Sequence, residues 1–147
     1  MNIRYARSQD RGEMVALESQ SPTAAHWTES FYVGLFEEGT AERVVLVAED
    51  EGGVRGVLVA LIIGHECELE NIVVAEGNRR FGLGSMLIRA FFEAARDRKV
   101  NRIFLEVRES NAAARSFYET CGFAIAGRRK SYYKDPEEDA VLYGLTL

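Results

Sequence analysis

The chain has 147 residues, 47% hydrophobic side chains and two prolines, so we expect one globular domain over residues 1–147. A formal net charge of -5, without a long basic run, argues against nucleic acid as a partner. This charge suits a cationic or amine-bearing substrate, although a mildly acidic surface also serves solubility.

Signals for membrane insertion, export and metal binding are weak in this sequence. The first residues, MNIRYARSQDRG, lack the apolar stretch of a signal peptide, and the apolar run VLVALII has only the length of a strand. We therefore expect no membrane contact and a cytoplasmic protein. Cys67 and Cys121 are too few for a disulfide framework and are predicted to be buried thiols. His26 and His65 lie far apart outside any ligand motif, so we expect no metal site.

The first half of the chain combines helical and strand patterns. Thr28 is a suitable cap for a helix, and Trp27 before it can pack against Tyr32. The turn EGG joins two apolar runs as a hairpin. The elements predicted here are a strand at 2–6, a helix at 10–19, a helix that begins after Thr28, and strands at 43–50, 54–63 and 65–74.

The second half contains a long amphipathic helix. From Leu83 onward, apolar residues recur at helical spacing as far as Ala95. Gly122 marks the end of a shorter helix. The remaining predictions are a strand at 101–107, the shorter helix at 110–122, and strands at 123–133 and 140–147. The order β-αα-βββ-α-β-α-ββ predicts a mixed α/β sheet with helices on both faces.

Two glycines, Gly82 and Gly84, follow Arg79 and Arg80 where the long helix begins. Each glycine costs a helix about 1 kcal/mol relative to alanine, so their presence indicates a close approach to the backbone. An anion is the obvious candidate, because backbone N–H groups from Arg80 to Ser85 lie at the positive end of the helix. The spacing is not that of a dinucleotide fingerprint, and a Walker lysine is missing.

RRFGLG matches the R/Q-x-x-G-x-G/A loop of the GNAT acetyltransferases, which holds the pyrophosphate of coenzyme A. ELENIVV before it, LEVRESNAAARSFYETCGF after it and GRRKSYY near the end extend the match. Over roughly its C-terminal half the chain resembles the ribosomal-protein-alanine N-acetyltransferases of the RimI type, and AAHWTESFY resembles their first loop and second helix less specifically. The chain departs from the pattern at Val74-Ala75-Glu76-Gly77, where V-D-P is usual, and at Phe81.

The resemblance implies a GNAT fold, with a mostly antiparallel sheet of about seven strands that splays between strands 4 and 5 and is flanked by four helices. It also implies acetyl-CoA as cosubstrate, with its pantetheine arm beside strand 4 and the Val73 or Val74 amide on the thioester oxygen. The alternative is that these valines are only buried core. The implied cofactor-binding residues are Ile72, Val73, Val74, Arg79, Arg80, Phe81, Gly82, Leu83, Gly84, Ser85, Asn111 and Tyr118.

By the same resemblance, Glu106 is the general base and Tyr118 the general acid. Asn111 and Tyr118 are seven residues apart and so share one helical face, from which Asn111 can hold the cofactor's amide. Tyr118 could instead be a core aromatic. Glu68 and Glu70 are rival bases, because strand alternation puts them on one face with Ile72; we rank Glu106 first and Glu70 second.

The acceptor side is less specific. In the resembling family the stretch GRRKSYY shapes the peptide side of the cleft, so Glu70, Tyr132 and Tyr133 are predicted to bind substrate. The arginines of this stretch could equally protect an edge strand. The acidic residues between 135 and 139 could attract a basic peptide or form a solvated turn.

Together these features predict an N-acetyltransferase that acts on a protein N-terminal α-amine by direct transfer in a ternary complex, as a monomer or weak dimer. The resemblance implies a small-subunit ribosomal protein that begins with alanine. At pH 7, deprotonation costs about 1 kcal/mol for an α-amine and about 4.6 kcal/mol for lysine. The alternatives are a lysine or small-molecule acceptor, and a non-catalytic acetyl-CoA sensor or interaction module.

Overall fold

A computed structural model describes residues 1–20, 29–39, 41–79 and 82–147. Its strands are β1 (Asn2–Tyr5), β2 (Arg43–Asp50), β3 (Gly53–Ile63), β4 (Glu66–Val74), β5 (Arg102–Arg108), β6 (Ala124–Tyr133) and β7 (Glu138–Thr146). Its helices are α1 (Arg11–Ser19), α2 (Glu29–Gly34), α3 (Leu83–Asp97) and α4 (Ala112–Thr120). This order confirms the predicted one. The predicted helix cap at Thr28, with Trp27 beside it, lies outside the described residues.

The seven strands form one sheet in the order β1-β2-β3-β4-β5-β7-β6. Neighbouring strands are antiparallel except β4 and β5, which run parallel. The predicted mixed, mostly antiparallel sheet is therefore confirmed.

The sheet opens between β4 and β5. Their pairing covers only three residue pairs and ends at Glu68 with Phe104. Beyond that point β4 stays paired with β3 as far as Val74, and β5 stays paired with β7 as far as Arg108. The two strands thus diverge while each keeps its other neighbour, which confirms the predicted splay and leaves a gap between them.

Helices cover both faces of the sheet. On the first, here called the α3 face, Leu83, Leu87 and Phe91 pack in a cluster that also includes Tyr143 of β7. On the second, the α1 face, Met14 and Tyr32 pack against valines of β2, β3 and β4. Burying an apolar side chain of this size contributes about 1.5–3 kcal/mol, so each face fixes its own helices to the sheet.

A bulge in β4 changes which side chains share a face. Val59 of β3 pairs with Asn71 and the next residue, Ala60, pairs with Leu69, so Glu70 is an extra residue in β4. Leu69 before the bulge and Ile72 after it both pack on the α3 face. Glu68 therefore points to the α1 face, opposite Ile72. The prediction that Glu68, Glu70 and Ile72 share one face is wrong, because simple alternation does not allow for an inserted residue.

The cysteines differ from their prediction in one respect. Cys67 is buried, and burial, with the Glu70 and Glu68 carboxylates, raises the pKa of its thiol to about 12. Cys121 is only half-buried. Among the described residues, no helix combines the length and apolar character needed to cross a membrane. In the same residues no three His, Cys, Asp or Glu side chains are grouped to hold a metal ion.

Candidate active site

The gap between β4 and β5 opens into a cavity of about 770 Å³. It is bounded by both strands, by the beginning of α3 and by α4. The predicted residues that line it are Glu70, Ile72, Val73, Val74, Arg79, Gly82, Leu83, Gly84, Ser85, Glu106, Asn111, Tyr118 and Tyr133. Tyr132 is not among the lining residues, and Arg80 and Phe81 lie outside the described residues.

One edge of β4 offers backbone groups to the cavity. The Ala75 amide donates to the Arg55 carbonyl of β3 at 2.8 Å, so the N–H and C=O groups of Val73 also point toward β3. Those of Ile72 and Val74 point the opposite way, into the gap. Arg79 Nε donates to the Val74 carbonyl at 3.2 Å. Of the two amides predicted to bind a thioester oxygen, the one that faces the gap belongs to Val74.

Glycine is favoured at Gly82 and at Gly84, at the start of α3, for two different structural reasons. Gly82 has φ of +77°, a left-handed conformation that favours glycine, and its carbonyl accepts from the Met86 amide. At Gly84 a Cβ atom would lie 3.1 and 3.2 Å from ring atoms of Phe117 in α4. The close approach that the sequence indicates is thus made, at Gly84, by an aromatic side chain.

The first turn of α3 borders the cavity through Leu83, Gly84 and Ser85. Amides in the first turn of a helix have no partner within the helix and carry the positive end of its dipole. This end of the cavity therefore suits a negatively charged group.

Tyr118 both packs in the core and lines the cavity. Its ring lies 5.4 Å from that of Phe117 and 5.8 Å from that of Phe123. Its hydroxyl makes no hydrogen bond to the part of the chain that the structure describes. Burial, and then Cys121 and Tyr133, raise the pKa of Tyr118, so its phenol stays protonated and able to donate a proton.

Asn111 is the N-cap of α4, one of the two caps, Ser110 or Asn111, that the sequence offers for this helix. Its side-chain oxygen accepts from the Ala114 amide at 3.2 Å. The side-chain nitrogen takes no part in this cap, which leaves it able to donate into the cavity that Asn111 lines.

Glu106 lies on the opposite side of the gap from Tyr118. Ile103, Leu105 and Val107 of β5 pack on the α3 face, so Glu106 points to the α1 face, where its side chain is 15% exposed. Arg129 Nε lies 2.8 Å from one carboxylate oxygen. The Tyr132 hydroxyl also bonds to Glu106, whose charge is the main cause of the raised pKa of Tyr132. Two residues of β6 thus hold this carboxylate.

The rival bases differ from each other in their partners. Glu70 pairs with Arg43 of β2 at 2.8 Å, and the Arg43 guanidinium lies over the Phe31 ring of α2. Glu68 has no ion pair or hydrogen bond within the described ranges. Burial, followed by the charges of Glu70 and Glu106, raises the pKa of Glu68. The sequence did not indicate Arg43, because its contact depends on the register of β2, β3 and β4.

The residues around Tyr133 form hydrogen bonds and ion pairs with one another. The Arg108 guanidinium lies 4.5 Å from the centre of the Tyr133 ring. Burial is the main cause of the raised pKa of Tyr133, and the negative charge of Glu106 is the second cause. Glu138 accepts a hydrogen bond from Arg108 of β5, and Asp139 accepts one from the Ser131 amide of β6. These two residues of the predicted acidic loop therefore lie in β7 and connect it to its two neighbouring strands.

Comparisons with known proteins agree with this architecture. Residues 11–123 match the model of the acetyltransferase (GNAT) family. A Bacillus subtilis relative is 32% identical over 145 residues, which span 99% of this chain and 95% of its own. The [ribosomal protein bS18]-alanine N-acetyltransferase of Salmonella typhimurium is 33% identical over 87% of this chain and 86% of its own length.

Solved structures show the same fold. The ribosomal-protein-S18-alanine N-acetyltransferase of Escherichia coli superimposes with a TM-score of 0.82, at 29% identity, over 99% of this chain and 92% of that one. Ard1 of Thermoplasma volcanium gives a TM-score of 0.85 at 27% identity, over 99% and 97% of the two chains. With the splayed sheet and the match over most of the chain, these findings place the protein in the GNAT family, and it is an N-acetyltransferase.

Proposed function

We propose that this protein transfers the acetyl group of acetyl-CoA to the N-terminal α-amine of a protein, directly within a ternary complex. The observation that carries the proposal is the gap between β4 and β5, bordered by Tyr118 from the α3 face and by Glu106 from the α1 face. An acyl group held in this gap would have a proton donor on one side and a proton acceptor on the other.

The dimensions and polarity of the cavity support acetyl-CoA as the donor. Its pyrophosphate would bind the first-turn amides of α3, next to Gly82 and Arg79, and we keep Arg80 and Phe81, which precede Gly82 in the sequence, as candidate contacts. Its pantetheine arm would lie along Ile72, Val73 and Val74 and take the place of a neighbouring strand, with the Val74 amide on the thioester oxygen. The free side-chain nitrogen of Asn111 would donate to a carbonyl of that arm.

The transfer itself needs three proton movements. The acceptor ammonium loses a proton toward Glu106, directly or through water, and the neutral nitrogen attacks the thioester carbonyl. The carbon–nitrogen bond forms, the carbon–sulfur bond breaks, and Tyr118 gives its proton to the departing sulfur. The nitrogen then loses its second proton, through water, to the Tyr118 phenolate, which yields the amide and restores the phenol. The Tyr118 phenol is protonated at neutral pH, as this assignment requires.

The acceptor is inferred from charge and from the relatives. Of the three carboxylates on the α1 face near the gap, Glu70 and Glu106 pair with arginines, and Glu68 has no ion pair within the described residues. The remaining excess of carboxylate favours a cationic acceptor over a neutral one. Removing the ammonium proton costs an α-amine about 1 kcal/mol at pH 7 and a lysine about 4.6 kcal/mol, so a single carboxylate is sufficient for the former. The relatives act on ribosomal protein bS18, and we propose the homologous protein as the acceptor.

A pair of synthetic peptides tests this function. Both begin with alanine and contain one internal lysine, and one of them carries a blocked N-terminus. We expect acetyl-CoA turnover with the free peptide only, with the new acetyl group on its α-amine. Equal rates on the blocked peptide would show a lysine acetyltransferase, and no turnover with either peptide or with small amines would favour a non-catalytic sensor.

A further inference from the structure

Three buried polar side chains from three elements meet beneath α2. The Tyr32 hydroxyl donates to Glu18 Oε2 at 3.0 Å, and Asn71 Nδ2 donates to the same oxygen at 2.9 Å. Asn71 Nδ2 also lies 3.3 Å from the Tyr32 hydroxyl. Glu18 is 2% exposed, Tyr32 0% and Asn71 7%. We call these residues the Glu18 triad.

The burial of these polar groups requires a physical explanation, because it has a cost in free energy. Taking a carboxylate out of water is costly, and an apolar core of similar volume is often at least as stable. What a fully bonded polar network adds is a fixed geometry, because each partner has one arrangement that satisfies it. The Glu18 triad connects α1, α2 and β4 in this way.

The triad lies next to the catalytic gap. Asn71 borders the cavity and directly follows Glu70, the extra residue of the β4 bulge. The neighbour of Tyr32 in α2, Phe31, lies under the Arg43 guanidinium, which pairs with Glu70. Two consecutive residues of α2 thus connect to two consecutive residues of β4 at the bulge.

We propose that the Glu18 triad is a set of positioning residues for the acceptor: it locks α2 to the β4 bulge and thereby fixes the acceptor side of the gap. The inference rests on the proposed function. Because all three residues act from the α1 face, loss of a member weakens acceptor binding and leaves acetyl-CoA binding on the α3 face unchanged.

The test compares two variants, each of which lacks one tyrosine hydroxyl on a different face of the sheet. Tyr32→Phe deletes the triad's hydroxyl and keeps its ring. Tyr143→Phe is the matched control, because Tyr143 as a residue is as little exposed as Tyr32 and its hydroxyl connects β7 to Glu119 and Arg115 of α4. We expect Tyr32→Phe to raise the KM of an alanine-initiated peptide about tenfold, the scale of one hydrogen bond to a charged group. The Kd of acetyl-CoA stays unchanged, and Tyr143→Phe leaves the peptide KM unchanged.

Glu18→Gln provides a second variant that keeps the side chain's size and one acceptor oxygen. It is expected to raise the peptide KM in the same direction. Combined with Tyr32→Phe it adds less than its separate effect, because Glu18→Gln weakens the same hydrogen bond that Tyr32→Phe removes. Lower thermal stability with an unchanged peptide KM in both variants would overturn the proposal and leave the triad a structural network only.

Failure of the proposed function gives a different result. In that case wild-type protein does not acetylate the peptide at all, and amide hydrogen exchange decides the inference. We expect residues 29–34 to exchange faster in Tyr32→Phe than in wild type, and at the wild-type rate in Tyr143→Phe. Unchanged exchange of residues 29–34 in Tyr32→Phe would overturn the inference.

Discussion

The two sides of the gap are built from different chemistry. On the α3 face the cavity is bordered by the backbone of the first turn of α3 and by the rings of Phe117 and Tyr118. On the α1 face it is bordered by carboxylates held by arginines, such as Glu70 with Arg43 and Glu106 with Arg129. A side rich in backbone donors suits an anionic cosubstrate, and a side rich in carboxylates suits a cationic acceptor.

The two faces of the gap therefore supply different parts of the proposed reaction. The proton donor that we assign, Tyr118, sits among aromatic rings that keep it protonated. The proton acceptor that we propose, Glu106, is bonded to the polar side chains of Arg129 and Tyr132. Changes on one side should therefore affect one half of the reaction, and the following variants test that separation.

The largest effect is expected at Glu106. Glu106→Gln keeps the size of the side chain and removes the proton acceptor, so kcat should fall by about 10²–10⁴. Isothermal titration should give an unchanged Kd for acetyl-CoA, since the change lies on the α1 face. Glu70→Gln is the comparison for the rival base, and a larger loss there than at Glu106 would reverse our ranking.

Tyr118→Phe comes next. The ring remains packed between its aromatic neighbours, so thermal stability should hold while kcat falls about 10²-fold. Because the pKa of Tyr118 is raised, wild-type kcat should show no loss of the acid near pH 10, where an ordinary tyrosine would titrate. Tyr5→Phe, on the exposed end of β1, is the control. A Tyr118→Phe enzyme with full activity would make this residue a core aromatic alone.

Gly84→Ala tests the α3 face. Its Cβ would press on the Phe117 ring at 3.1 Å, and overpacking of this kind costs about 1–3 kcal/mol. We expect the Kd of acetyl-CoA to rise roughly five- to tenfold, with the peptide KM unchanged. Adding Phe117→Leu should restore binding by making room.

The matched control for that change is Gly77→Ala, in the same connection between β4 and α3. A Cβ at Gly77 meets nothing within 4 Å, so binding should not change. Equal losses at the two glycines would mean that the contact with Phe117 is not what makes Gly84 necessary.

The smallest effect is expected from Glu68→Gln, which should change the free energy of unfolding in a way that depends on pH. The pKa of Glu68 is raised above its ordinary value of 4.5, so the folded state holds this proton more tightly than the unfolded state. Wild-type stability is therefore lost as pH rises from the unfolded pKa through the folded one. Urea unfolding should find the variant more stable than wild type at pH 7 and equal to it below the unfolded pKa. A difference that persists at low pH would contradict the assigned shift.

Local patterns in the sequence predicted much of the fold and part of the candidate site. Hydrophobic periodicity predicted the element order, and the residues around Gly82 and Glu106 predicted the splayed sheet through a resemblance. The prediction that Glu68, Glu70 and Ile72 share one face was wrong, since one inserted residue in β4 reverses the alternation beyond it. The partners of Glu70 and Asn71 were not predicted, because Arg43 and Glu18 are distant in sequence and reach them only through strand register and helix packing.

In the complex that we propose, donor and acceptor meet in the gap from opposite faces of the sheet. The decisive test is a crystal structure with a bisubstrate conjugate, in which the CoA sulfur is joined through an acetyl bridge to the α-amine of an alanine-initiated peptide. We expect the pantetheine arm between β4 and β5, the pyrophosphate at the first turn of α3, and the peptide nitrogen within hydrogen-bonding reach of Glu106. A conjugate bound outside this gap, or a peptide arm that leaves along the α3 face, would show that donor and acceptor do not meet in this way.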